Sequence, residues 1–173
     1  MKAKSWEMFE KSLAAMVAAI EVYNKPNFEY REETFSILAV NGWELLLKAK
    51  WLRDHGNKAT SLYVYEKAKK KDGTPSKKLI IKQTRCGNPF THGLDYLANK
   101  LVELGKLDPI AHKNIEGICE IRDSAVHFYN KSNAFSMRLQ EVGSATLKNY
   151  VQVVKEWFEE DLTSFNFYGS SSN

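Results

Sequence analysis

The stretch from Arg31 to Asp54 constrains the fold more than any other part of the chain. It reads as one long helix, and Gly56 suits its C-terminal stop. Phe35, Ile37, Leu38, Val40, Trp43, Leu45, Leu46, Leu47, Trp51 and Leu52 wrap most of its circumference at about 100° per residue. A helix that is apolar nearly all round is buried nearly all round, so it belongs at a bundle centre or a subunit interface. Only Asn41, Glu44 and Lys48 form a narrow polar line, at steps of three and four, and Glu44 and Lys48 are spaced to pair along the helix.

The flanking segments supply partners for such a rod. A first helix is expected from about Ser5 to Tyr23, with Ser5 as its cap and Trp6, Phe9, Leu13, Met16, Val17, Ile20 and Tyr23 at helical spacing. Asn24-Lys25-Pro26-Asn27 ends it. A third helix covers roughly Leu94 to Leu104. A fourth opens at Asp108-Pro109, a cap followed by proline, and runs to about Tyr129. After a turn at Asn130–Asn133, the chain reads as helical from Ala134 to about Phe165, with Gly143 as a point of interruption. The expected fold is therefore all-α: an up-down helical bundle forming a single domain over residues 1–168, with residues 169–173 a disordered tail.

One segment breaks the helical pattern. Ser61-Leu62-Tyr63-Val64-Tyr65-Glu66 is rich in strand formers, Asp72-Gly73-Thr74-Pro75 reads as a turn, and Lys78-Leu79-Ile80-Ile81-Lys82 returns. This predicts an inserted β-hairpin over about residues 61–83. Residues 67–85 hold eight basic residues against Asp72 alone, a net +7, whereas the whole chain carries only +4. The basicity thus belongs to one element. Lys69, Lys70, Lys71, Lys77 and Lys78 are candidate phosphate contacts, which position a polyanion without reading its sequence. A solvated loop is the plain alternative. A DNA-binding regulator is a third reading that rests on these lysines alone.

Other function classes are not signalled. No apolar run reaches membrane-spanning length, and the N-terminus does not read as a signal peptide, so no membrane partner is expected. Cys86 and Cys119 make no disulfide framework, which favours the cytoplasm; Cys119 reads as a small buried hydrophobe. His55, His92, His112 and His127 are scattered, and there is no CxxC, HExxH, Walker loop or GxGxxG. No metal and no cofactor is expected.

The chemistry-bearing string is Arg122-Asp123-Ser124-Ala125-Val126-His127, late in the fourth helix. Arg122 falls within the apolar half formed by Ile115, Ile118, Cys119, Ile121, Ala125, Val126, Phe128 and Tyr129, and a core-facing guanidinium needs a partner or a task. Two readings stay open. In one, Arg122 forms a structural ion pair with Glu44. In the other, it serves a reaction. Asp123 and His127 lie four apart on one face, so the carboxylate can orient the imidazole. Arg122 and His127 diverge by about 140°. Two copies of this helix crossing at a two-fold axis would bring the pairs together, and the apolar second helix offers a dimer surface. An RNA 2′-hydroxyl is a nucleophile carried by the substrate. His127 would move protons, Arg122 would meet the charge growing on phosphorus, and no metal would be needed.

The Arg-polar-x3-His string, late in a helix of a small helical domain, resembles the signature of the HEPN superfamily (higher eukaryotes and prokaryotes nucleotide-binding). NGWELLLKAKWL resembles that group's glutamate-plus-LKA pattern. With YNKPNFEYREETF, the hairpin and IRDSAVHFYN, the chain is similar to a bacterial HEPN-like family of unassigned function over roughly residues 10–130. The resemblance implies a metal-independent endoribonuclease that cleaves single-stranded RNA at a composite site in a homodimer, in phage defence or a toxin–antitoxin setting. It implies an antitoxin or defence-system partner and products ending in a 2′,3′-cyclic phosphate and a 5′-hydroxyl. Its catalytic residues fall on Arg122, Asp123 and His127, with Asn41, Glu44 and Lys48 as supporting residues. The hairpin departs from the minimal plan. Some members of the superfamily are inactive, so a non-catalytic binding module for a protein partner or nucleotide is the competing expectation.

Overall fold

The structure, a computed structural model, describes residues 2–126 and 133–165. Over those residues it contains five α-helices and one two-stranded antiparallel sheet. The helices are α1 (Lys4–Asn24), α2 (Arg31–Asp54), α3 (Leu94–Glu103), α4 (Pro109–Val126) and α5 (Asn133–Phe158); the strands are β1 (Tyr65–Lys69) and β2 (Pro75–Ile81). Short 3-10 turns lie at Ala59–Leu62 and Thr163–Phe165. The helical fold with an inserted hairpin is as the patterning predicts. The expected tail lies outside the described residues. No described helix is long and apolar enough to cross a membrane.

α2 has the bounds read from the sequence and touches all four other helices. Its most extensive contact is with α1. Gly42 makes that contact possible, since a Cβ there would lie 3.1 Å from Met16 Cε and 3.4 Å from the Ser12 carbonyl oxygen. The Ser12 hydroxyl donates to the Gly42 carbonyl at 2.6 Å and also meets the Tyr150 hydroxyl of α5 at 2.8 Å. Burial pushes the Tyr150 phenol up, against the lowering effect of that Ser12 bond, so it stays protonated. The Tyr150 ring meets Trp43 edge-on, with centroids 5.4 Å apart. Three helices are thus locked around one small residue.

The short connector between α3 and α4 and the ends of α2 and α5 gather at one pole. Asp54 receives Lys50 at 3.0 Å and Lys106 at 2.6 Å. Burial alone would raise the Asp54 pKa; the bonds and charges of Lys106 and Lys50 outweigh it and leave the carboxyl below its usual value. Arg53 donates to the Trp157 carbonyl, and Trp157 Nε1 donates to the Lys106 carbonyl at 3.2 Å. Phe158 stacks on Phe9 of α1 with centroids 4.5 Å apart. At the other pole Tyr23 meets Phe35, and Ser136 donates to Glu32.

Several local expectations are corrected. Ser5 is not a cap: α1 begins one residue earlier, Ser5 is buried, and its backbone N–H is satisfied by Asn57 Oδ1 at 2.9 Å. The cap thus comes from the loop that ends α2, where Gly56 and Asn57 adopt left-handed backbone conformations. The first strand starts later than expected. Ser61 turns its hydroxyl onto the Lys58 carbonyl at 2.7 Å, which holds Ala59–Leu62 in a tight turn. α5 passes through Gly143 without interruption, because the glycine admits the Phe35 ring, 3.2 Å from where a Cβ would sit. The same helix stops at Phe158, with Glu159 left-handed; the acidic run Glu159-Glu160-Asp161 opposes the dipole at a helix C-terminus. By contrast, Asp108 caps α4 as expected, with Oδ1 accepting from Ile110 N at 2.6 Å.

The packing at Gly42 yields a prediction. Gly42→Val forces a branched side chain against the Ser12 backbone and Met16, and is expected to lower stability by about 2–3 kcal/mol in urea unfolding. A loss below about 0.5 kcal/mol would show that α1 can move away from α2 at little cost.

Candidate functional site

The sequence-derived candidates fall into two groups in the structure. The first lies at the end of α4. Arg122 Nε donates to Asp123 Oδ1 at 2.9 Å, and Nη2 approaches the same oxygen at 2.8 Å. Both bonds end on one carboxylate oxygen. Among the described residues, the other guanidinium N–H groups meet no acceptor. The Arg122 side chain is 35% exposed and that of Asp123 60% exposed. The expectation that Arg122 faces the core is therefore corrected: it sits at the edge of the apolar face, and its ion-pair partner is its own neighbour. His127 lies outside the described residues, as does the turn expected at Asn130–Asn133 apart from Asn133.

Cys119, one turn before Arg122, is half-buried rather than fully buried. Burial pushes its thiol up to about 11 against the lowering effect of Arg122, so it stays protonated at neutral pH. Asp95, in the first turn of α3, also acts on this thiol. α3 packs against α4.

The second group lies along the open line of α2. Lys48 Nζ pairs with Glu44 at 2.7 Å and donates to Thr91 Oγ1 at 3.2 Å. Glu44 is thus engaged by Lys48, and among the described residues no hydrogen bond or ion pair joins it to Arg122. The structural pairing considered for Arg122 is replaced by an i,i+4 pair within one helix, which needs no second element to form. Asn41, one turn earlier, is exposed.

Thr91 ties this line to the root of the hairpin. Residues 89–92 run beside both hairpin arms: Tyr63 bridges Thr91, Gln83 bridges Pro89, Val64 N donates to Phe90 O at 2.8 Å, and Phe90 N donates to Lys82 O at 2.7 Å. Trp51 Nε1 donates to the Ser61 carbonyl at 3.0 Å. From this root the hairpin stands into solvent on both faces. The turn is closed by Asp72, whose Oδ1 accepts from Thr74 N at 2.9 Å and Thr74 Oγ1 at 2.6 Å. These Thr74 bonds hold the Asp72 carboxyl below its usual value. Lys69, Lys70, Lys71, Lys77 and Lys78 are all exposed.

Sequence reasoning missed a row of rings at the same root. His55 stacks on Trp51 with centroids 4.4 Å apart, and His92 stacks on Tyr96 at 3.8 Å. Trp51 and Tyr96 meet edge-on at 6.4 Å, joining the two pairs. His55 Nδ1 donates to the Trp51 carbonyl at 2.7 Å. Burial holds the His92 imidazole below its ordinary pKa. Each stacked pair has i,i+4 spacing and was in principle legible; their meeting across α2 and α3 was not. Among the described residues, no group of three or more His, Cys, Asp or Glu is placed to hold a metal ion.

The geometry at Arg122 makes a stability prediction. An exposed ion pair between sequence neighbours contributes little, so Arg122→Ala is expected to change unfolding free energy by less than about 1 kcal/mol. A loss of about 3–5 kcal/mol would instead mark a charge pair essential to packing. Guanidinium unfolding with a circular-dichroism readout distinguishes the two.

No curated protein and no solved structure matches the chain. A family model matches residues 7–170, nearly the whole sequence. The chain belongs to the family described as a domain of unknown function, DUF3644.

Proposed function

We propose that this chain is a metal-independent endoribonuclease of HEPN type, acting as a cytoplasmic homodimer on single-stranded RNA in a phage-defence or toxin–antitoxin setting, where an antitoxin or defence-system partner would restrain it. The observation that carries the reading is Arg122. It is half-exposed at the end of α4, is held by Asp123, and keeps N–H groups that meet no acceptor among the described residues. A guanidinium in that state suits a phosphate, which it binds through paired N–H donors.

The chemistry follows from these roles. The RNA 2′-oxygen attacks the adjacent phosphorus as its proton passes to an imidazole base. Negative charge builds on the equatorial phosphate oxygens, and Arg122 stabilises it. The bond from phosphorus to the 5′-oxygen breaks, and that oxygen takes a proton from an imidazolium acid. The products are a 2′,3′-cyclic phosphate and a 5′-hydroxyl, and the protons balance. His127 from the dimer supplies the imidazole, while Asp123 fixes the Arg122 side chain and orients His127. Glu44 and Lys48 line the hairpin root as a neutral pair, while the hairpin lysines contact phosphates.

Two outcomes are expected. Purified protein cleaves single-stranded RNA in excess EDTA, and His127→Ala or Arg122→Ala lowers the rate by at least about 100-fold without shifting the melting temperature. Full activity in His127→Ala protein would dismiss the reading and favour a binding module. Mixing the two inactive variants under subunit exchange is expected to restore part of the activity, because a composite site would draw one intact residue from each chain. Absence of rescue despite demonstrated exchange would place both residues of a site on one chain.

A further inference from the structure

The hairpin root carries a feature that folding alone does not require. Four rings form a continuous row, His55–Trp51–Tyr96–His92, on a surface open to solvent: Trp51 lies in α2 and Tyr96 in α3, while His55 follows the end of α2 and His92 precedes α3. His55 is exposed, and Tyr96 is 41% exposed. Phe90, on the strand-like arm that ties the hairpin down, is 43% exposed and lies under Lys82, whose Nζ is 4.8 Å from the ring centroid. Large exposed aromatic groups gathered in one place mark a contact surface rather than a core.

Charge on the neighbouring element narrows what makes that contact. Residues 67–85 carry eight cations, and Asp72, the sole acid among them, is engaged by Thr74 within the turn. Lys48 at the root is already neutralised by Glu44. The basic arm therefore attracts a polyanion, and the rings beside it offer flat apolar faces. A protein segment of acidic character would satisfy the lysines and leave the rings without stacking partners. A duplex would satisfy the lysines too, but its bases are already stacked and paired. Unpaired bases on a phosphate backbone satisfy both.

We propose that the ring row at the hairpin root is a stacking dock for the unpaired bases of a single-stranded RNA whose phosphates are gripped by the hairpin lysines. The choice of RNA as the strand rests on the ribonuclease reading; the dock itself rests on the rings and the charge. The root bonds from Val64 to Phe90 and from Phe90 to Lys82 fix the arm relative to α2 and α3, so grip and dock keep a constant separation. Trp51 is anchored through Nε1 to Ser61 and serves as the rigid middle of the row. Tyr96 and His55 are the faces a base reaches first.

The test uses the full chain carrying His127→Ala, so that the probe survives, and a fluorescein-labelled oligoadenylate of about 12 nucleotides read by fluorescence anisotropy. Adding Tyr96→Ala is expected to weaken binding about tenfold or more, while Tyr96→Phe, which keeps the ring, stays within about twofold. Lys77→Gln with Lys78→Gln lowers the slope of log affinity against log salt by about 1.4, whereas Tyr96→Ala leaves that slope unchanged. Affinity within twofold of the parent for Tyr96→Ala overturns the dock, as does equal affinity for a duplex of the same length. If Tyr96→Ala melts early, His55→Ala, at the exposed end of the same row, decides on the same criterion. Binding that behaves as expected in a protein with no RNA cleavage overturns the ribonuclease reading and leaves the dock standing.

Discussion

The enclosure of α2 governs everything else in this molecule. Gly42 lets α1 lie against it, and the Ser12–Tyr150 contact carries the same locus to α5. α4 and α3 close the remaining sides. A rod buried on so many sides has a narrow open line along its middle, and Asn41, Glu44 and Lys48 lie there. That is where the hairpin root attaches, through Lys48 to Thr91 and Trp51 to Ser61. The insertion is thus not a free appendage. It is seated on the polar strip of the central helix, where Glu44 and Lys48 neutralise each other.

Arg122 is the counterpart at the other exposed place. A guanidinium paired with the next residue in its own helix adds little to folding. Its geometry is nonetheless constrained, because both bonds converge on Asp123 Oδ1. The group is oriented without being consumed by the fold, which is what a phosphate-binding arginine needs. Glu44, had it paired with Arg122, would have drawn the guanidinium toward α2 and turned it into a packing element. Its pairing with Lys48 leaves the two charges in separate places.

What the sequence made legible follows the range of each signal. The bounds of α2, the Asp108 cap of α4 and the lysine-rich hairpin rest on residues close together in the chain, and all three stand in the structure. The errors lie where a distant residue decides. Ser5 looked like a cap, but Asn57 does that work from the end of α2. Gly143 looked like a break, yet it is the place where the Phe35 ring enters. Arg122 lies in the apolar half of its helical wheel, but the wheel could not show that this position falls at the edge of the packing. The ring row escaped notice because its two halves are far apart in sequence and become one surface only when α3 packs beside α2.

The two exposed places are joined through α3. α3 carries Tyr96 in its first turn and packs against both α2 and α4, the helix that carries Arg122 near its end. On the proposed reading, a strand docked on the ring row would lie along this connecting element. That reading would give the hairpin a purpose beyond attraction. Lysines alone would hold an RNA at any register, since phosphate contacts carry no positional information along a flexible strand. On the proposed reading, stacked bases would fix the register and so present one particular phosphodiester to the guanidinium.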